Sequence, residues 1–486
     1  MLKAQGVLWP VLALIGLNLV AHFLPFERVS LSGDDICYSM IPVGERAAYL
    51  KGQFSTMGLR RPFTVCYFLL HWFVGESKWL WVTMSFLFSS VLTAAVYFLM
   101  RELAGSRAGA FLCSAFFVLL PNKDQIYQHL GNAYLNPVYA LTVVSLTLFL
   151  VYLRSPRAGY LWGSFACYAV SIFFNELGFF LPFIFALAAF LYGKPRLEAG
   201  VLALTLLAGL VLWRLGYGSG IGPPLNFAAL SGKLWDNFRV AAPNHYIGRQ
   251  MMKATLYGIA RFPAMELRWL FLVLAADGLL VWGFFRWFRE QSIPRIPAKA
   301  LLLSAAMWVL FILPAAMGHG ILSRHTALAS LGFSVLTVAA LRFLLRSHRF
   351  FLGALTLLFG VFLIASQGAA WNHVVSCRMT NAFIETFQEK SREIRGAERV
   401  LIDQYSFSQK IPYTWVKDPL NQLDTYWGVD ALVGENFGHI LHGVCETAVP
   451  VEVVRGPLSP GQYPRAGTVL IDYTAVYPNG FQHGNR

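Results

Sequence analysis

The chain has 486 residues, of which 56% are hydrophobic, 15% aromatic and only 13% charged. A water-soluble protein of this length does not cover its surface with so little charge, so the composition points to a bilayer as solvent. The net charge of +14 does not mark a nucleic-acid binder, because the basic residues fall in short clusters between apolar runs, such as Arg101 with Arg107 and Arg342 with Arg346 and Arg349.

Apolar runs of roughly 17 to 25 residues recur as far as residue 367, long enough as helices to cross a hydrocarbon core of about 30 Å. They predict eleven transmembrane helices over about 7–26, 79–100, 108–121, 137–153, 159–174, 177–192, 199–215, 269–288, 300–314, 325–343 and 350–367. With Lys3 cytoplasmic, one alternating topology puts the clusters Arg101 and Arg107, Arg154 and Arg157, Lys194 and Arg196, Arg286 to Lys299 and Arg342 to Arg349 on the cytoplasmic side, as the positive-inside rule expects, and carries the C-terminus outside. Leu24-Pro25-Phe26-Glu27 lacks small residues at cleavage spacing, so the first run reads as an anchored span in an inner (plasma) membrane rather than a removed signal peptide.

The first outer loop, 27–78, follows that span and carries adjacent carboxylates, Asp34 and Asp35. Like charges in contact repel, so the pair is either a solvated turn or a site that holds a proton or a cation. Arg60-Arg61-Pro62 comes next, then "PFTVCYFLLHWFVG" (62–75), which is too short to span and reads as an interfacial segment. The loop 121–137 brings Asp124, with Lys123 beside it as a ready neutralising partner. Glu176 occupies a turn of about two residues between two spans, which keeps an ionisable group near membrane depth. Arg324 and His325 in "GHGILSRH" open a late span from the outer side. Arg324 there is either a headgroup anchor or a planar fork for phosphate oxygens at a helix N-terminus. All these features fall on the outer face.

Residues 368–486 change character. "TNAFIETFQEKSREIRG" (380–396) has amphipathic helical spacing, and strand-like runs follow at 399–405, 449–456 and 467–474. The expected architecture is therefore an all-α polytopic membrane domain, 1–367, with a small C-terminal α/β domain outside, 368–486. Cys113 and Cys167 fall within spans. Cys37 and Cys66 share the first loop, Cys377 and Cys445 the C-terminal domain, and an oxidising outer compartment permits a disulfide in each pair without fixing either.

No P-loop, GxGxxG, zinc-spaced Cys/His cluster or Gly-x-Ser-x-Gly elbow occurs. What remains is an outer site of carboxylates and an arginine near the lipid boundary. Such a site suits a lipid-borne phosphorylated substrate, whose phosphate leaves while a carboxylate takes a proton from an incoming hydroxyl.

Several stretches in this order resemble the GT-C class of integral-membrane glycosyltransferases, which includes protein O-mannosyltransferases and the lipid A aminoarabinose transferase. They are the acidic pair after the first span, "RRPFTVCYFLLHWFVGESKWLW" (60–81), "YFLMRELAGSRAGAFLCSAFFVLLPNKDQIYQHLGNAYL" (97–135), "SIFFNELGFFLP" and "SRHTALASLG", covering about residues 7–345. The resemblance implies transfer, with inversion, from a polyprenyl-phosphate sugar to a glycan, lipid or protein acceptor. Asp34 or Asp35 would be the acceptor-activating base, with Asp34, nearer the span, favoured. Arg324 with His325 would hold the donor phosphate, assisted by Arg60 or Arg61, and Glu176 and Asp124 would organise the site or contact substrate. A divalent metal on Asp34, Asp35 and Asp124 is left open. Asn175 stands where the family has Lys, and His325 where it has an aromatic residue. The rival class is a polytopic transporter or flippase for a lipid-linked glycan, which would expose polar groups at mid-membrane and show internal symmetry.

Overall fold

The computed structural model describes residues 2–24, 41, 43–57, 64–75, 77–123, 125–128, 134–174, 178–192, 200, 203–204, 206–207, 247, 251–252, 254–291, 293, 295–317, 326–403, 445, 447, 449–454 and 467–472. These residues are mostly helical. Helix α1 (Leu2–Asn18) continues into a π-turn, Leu19–Phe23. Then come α2 (Arg46–Met57), α3 (Thr64–Val74), α4 (Lys78–Ala104), α5 (Arg107–Leu119), α6 (Leu135–Arg154), α7 (Ala158–Phe174) and α8 (Leu181–Tyr192). The second half adds α9 (Ala254–Arg261), α10 (Leu267–Arg289), α11 (Ala298–Met317), α12 (Ala329–Leu344), α13 (His348–Glu389) and α14 (Ser391–Arg395).

Four helical stretches are long and apolar enough to cross a membrane: Trp79–Ala104, Leu135–Arg154, Leu267–Arg289 and His348–Trp371. Six shorter apolar helices accompany them, Leu8–Phe23, Arg107–Leu119, Ala158–Phe174, Leu181–Tyr192, Ala298–Leu313 and Ala329–Leu344. Ten of the eleven expected runs therefore correspond to an apolar helix. Of the remaining run, 199–215, only residues 200, 203–204 and 206–207 are described, and these are helical. Helix α3 has 11 residues, too few to cross. It ends at Gly75, whose φ of 55° is a left-handed cap that Gly adopts without strain. The Gly75 N–H donates to the His71 carbonyl at 2.8 Å, and the Trp81 indole closes the corner on the Gly75 carbonyl at 2.9 Å.

Between apolar helices the hydrophobic effect gives no preference over lipid, so close packing and hydrogen bonds decide which helices associate. Ser145 Oγ on α6 donates to the Ser164 carbonyl on α7 at 2.7 Å, and Ser164 Oγ returns a bond to the Ser145 carbonyl at 2.8 Å. Glycines allow the closest approaches. A methyl group on Gly332 of α12 would strike the Ser304 carbonyl of α11. Gly258 of α9 and Gly368 of α13 face each other so tightly that a methyl on either would strike the opposite backbone.

Helix α13 runs unbroken for 42 residues, about 63 Å at 1.5 Å per residue. The division expected at 367/368 thus falls inside one helix, because 349–389 contains no proline to end it. The expected amphipathic helix, 380–396, is the end of α13 followed by α14. The three expected strands are present as β1 (Arg399–Asp403), β2 (Val451–Val454) and β3 (Thr468–Asp472). They form a parallel sheet in the order β2-β1-β3, with Val400 opposite Val451 and Val469. Phe387, Ile394, Val400, Ile402 and Ile471 are all completely buried, and Lys390 Nζ, at the end of α13, donates to the Leu470 carbonyl of β3 at 3.4 Å.

The two disulfides left open by the sequence are not formed at their described members. Cys66 and Cys445 are free thiols. Cys445 is buried, its thiol donates to the Phe387 carbonyl at 3.4 Å, and burial pushes its pKa up against the opposing field of Arg395. Exposed Cys66 should therefore label with a maleimide without prior reduction, whereas Cys445 should label only after denaturation. A requirement for reductant at Cys66 would show that it is bonded.

Candidate functional site: a polar floor between helix ends

All eight residues expected to form the site lie outside the described residues: Asp34, Asp35, Arg60, Arg61, Asp124, Glu176, Arg324 and His325. The described structure supplies the elements from which those loops leave.

Asn122, two positions before Asp124, is completely buried and donates from Nδ2 to Thr326 Oγ1 at 3.2 Å and to Ser330 Oγ at 3.3 Å. Thr326, next in the chain after His325, donates in return to the Asn122 carbonyl at 2.7 Å, and Ser330 donates to the Thr326 carbonyl at 2.8 Å. The end of the α5 segment is thereby tied to the start of α12. The same segment is held from two further sides. Ser366 of α13 donates to the Leu119 carbonyl at 2.9 Å. His22, in the π-turn ending α1, meets the Val118 carbonyl at 2.8 Å through Nε2, and its ring stacks on Tyr127 at 3.9 Å and 10°. A π-turn widens the backbone ring and is frequent at functional sites. It stands eleven residues before Asp34.

The turn carrying Glu176 is anchored on α6 and α7. Tyr168 Oη donates to the Phe179 carbonyl at 3.3 Å, and Gly178 lies against Thr142.

Two buried charges were missed from the sequence. Asp277 lies ten residues, about 15 Å, into α10 and is 8% exposed on a helix that otherwise faces lipid with Phe271, Leu272, Leu274 and Leu279. Its Oδ1 accepts from Gln367 Nε2 of α13 at 2.6 Å, and the same amide approaches the Val20 carbonyl of the π-turn at 3.5 Å. Neither Asp277 Oδ2 nor Gln367 Oε1 has a hydrogen-bond partner among the described residues. The signal was present in "LAADGLLVWGFF", an acid inside an apolar run, which by the reasoning applied to Glu176 is a functional candidate. The second is Arg261 of α9, 5% exposed, with its guanidinium 4.9 Å above the Tyr257 ring. It lies in a helix too short to stand out from sequence.

Among the described residues no group of three His, Cys, Asp or Glu side chains is placed to hold a metal ion. The expected metal positions, Asp34, Asp35 and Asp124, are outside them. What the described arrangement does is positional: side chains from the end of α1, the end of α5, the start of α12 and the middle of α13 lock together the points from which the chain leaves for the expected site residues.

If that lock is cooperative, Asn122→Ala and Thr326→Ala should each lower unfolding stability by about 1–2 kcal/mol. The double variant should lose less than the sum, because both remove the same bonds. Strict additivity in detergent-solubilised protein would show that the two positions act separately.

Compared with known proteins, the chain matches no protein-family model and no curated protein.

Proposed function

We propose that the protein is a membrane glycosyltransferase that moves a sugar from a polyprenyl-phosphate donor to a glycan, lipid or protein acceptor at the outer face. The observation that carries this reading is the bonding of Asn122 to Thr326 and Ser330. It joins the loop bearing Asp124 to the one bearing Arg324 and His325, while His22 ties in the helix that leads to Asp34 and Asp35. Segments distant in sequence thus share one scaffold, which supports a site at the lipid boundary, where a polyprenyl phosphate presents its head.

In this reading Asp34 or Asp35 takes the proton of the acceptor hydroxyl as its oxygen bonds to the anomeric carbon. The bond from that carbon to the phosphate oxygen breaks, and the electron pair leaves with the lipid phosphate. Attack opposite the leaving group inverts the configuration. Arg324, with His325 and Arg60 or Arg61, neutralises the departing phosphate by a forked, charge-assisted contact. Glu176 orients substrate, and a divalent metal on the acidic loop residues remains an option of the same chemistry. The topology that accompanies it has eleven spans, with the N-terminus cytoplasmic and the C-terminal domain outside.

One observation favours the transporter or flippase reading. Asp277 is a buried carboxylate well inside a membrane-crossing helix, where such proteins keep polar groups. The two readings separate in proteoliposomes containing a synthetic polyprenyl-phosphate sugar. The enzyme transfers sugar to an added acceptor, and Asp34→Asn or Asp35→Asn lowers turnover by about 10² to 10⁴ with donor binding retained. Near-normal turnover in both variants sinks the mechanism. Translocation of the lipid without acceptor, lost in Asp277→Asn, establishes the transporter instead.

The topology has its own test. A cysteine replacing Gly131 should react with an impermeant thiol reagent applied to intact cells, and one replacing Ser155 should not. Labelling at Ser155 would overturn the eleven-span arrangement.

A further inference from the structure

Helices α4 and α6 leave a groove between them at the end of the bundle where the basic residues gather. Its volume is about 340 Å³, and Phe98, Val144, Leu148 and Val151 form its apolar walls. Arg101 and Glu102 line the same groove. Glu102 is committed: Arg154 holds its carboxylate at 2.8 Å and its carbonyl at 2.8 Å. Arg101 has no ion-pair partner among the described residues.

With Glu102 held by Arg154, the Arg101 guanidinium is left without a compensating carboxylate among the described residues. The groove therefore pairs an apolar channel with one unmatched cation at its end, the complement of an anion that carries a hydrocarbon tail.

We propose that this groove is a binding site for one anionic phospholipid of the surrounding bilayer, with an acyl chain between α4 and α6 and the headgroup phosphate on Arg101. The chemistry follows from the two ends of the groove. Branched and aromatic side chains at membrane depth accept a hydrocarbon chain. A guanidinium fork at the interface matches phosphate oxygens, and basic pockets between membrane helices select acidic headgroups in this way. Phe98 is 44% exposed, which leaves the groove open to lipid along its side. The site lies apart from the polar floor between helix ends, and the inference stands whether the protein is a transferase or a transporter.

The test is native mass spectrometry of the full chain released from nanodiscs that contain equal amounts of phosphatidylglycerol and phosphatidylcholine. The wild-type protein should retain one phosphatidylglycerol in preference to phosphatidylcholine by roughly fivefold or more, the scale expected for one basic residue near an acidic lipid. Arg101→Gln should bring the two lipids within about twofold of each other, and Arg101→Lys should keep part of the preference, since charge remains without the fork. Val151→Phe fills the groove beside Arg101 and should abolish retention of both lipids. Equal retention of the two lipids by the wild-type protein overturns the proposal without recourse to any variant, as does an unchanged preference in Arg101→Gln.

Discussion

The contact between Gly258 and Gly368 is the constraint on which the polar floor of the bundle depends. Neither position accommodates a methyl group, so α9 and α13 meet backbone to backbone. That contact fixes α13 against its neighbour at the height of Ser366 and Gln367, the two residues immediately before Gly368. Ser366 then meets the Leu119 carbonyl, and Gln367 meets Asp277 and the π-turn. One close approach thus brings α1, α5, α9, α10 and α13 to a common level. In a bilayer there is no hydrophobic term to gather helices, so small residues and buried hydrogen bonds carry this task.

The polar floor also answers an energetic problem. Helices end near the membrane surface with backbone carbonyls that have no partner within the helix. Water is scarce there, and an unmade bond costs more than it would on a soluble protein. The carbonyls of Val118, Leu119 and Asn122 are each met by a side chain from a different helix: His22, Ser366 and Thr326. The same bonds that satisfy the end of α5 hold the loop departure points in a fixed relation. Stability and site geometry are therefore the same interactions here. Asp277 is the exception, because its second oxygen has no partner among the described residues, which makes it a functional candidate rather than part of the scaffold.

Helix α13 links the membrane domain to the C-terminal sheet without a hinge. Its apolar part, His348–Trp371, is long enough to cross the bilayer, and in its last turn Phe387 is buried and its carbonyl accepts from the Cys445 thiol. A continuous helix transmits rotation and tilt along its length far better than a loop does.

The sequence by itself determined the bilayer as solvent, the positions of ten apolar helices, a segment at 62–75 too short to span and all three strands. Each of these depends on local periodicity or on composition, and both are visible in a short window of residues. It also singled out Asp34, Asp35, Arg60, Arg61, Asp124, Glu176, Arg324 and His325 by their unusual chemistry, all at positions beyond the described residues. Only the tertiary structure decided that Asn122 meets Thr326 across 204 residues of chain, that Gln367 meets Asp277 across 90, and that Gly258 opposes Gly368. No window contains such pairs, because which helix faces lie together is fixed by the fit of surfaces distant in sequence. The fusion of the last span to the amphipathic helix lay between these cases. The absence of proline allowed it, and the bond from Lys390 to the Leu470 carbonyl of β3 made use of it.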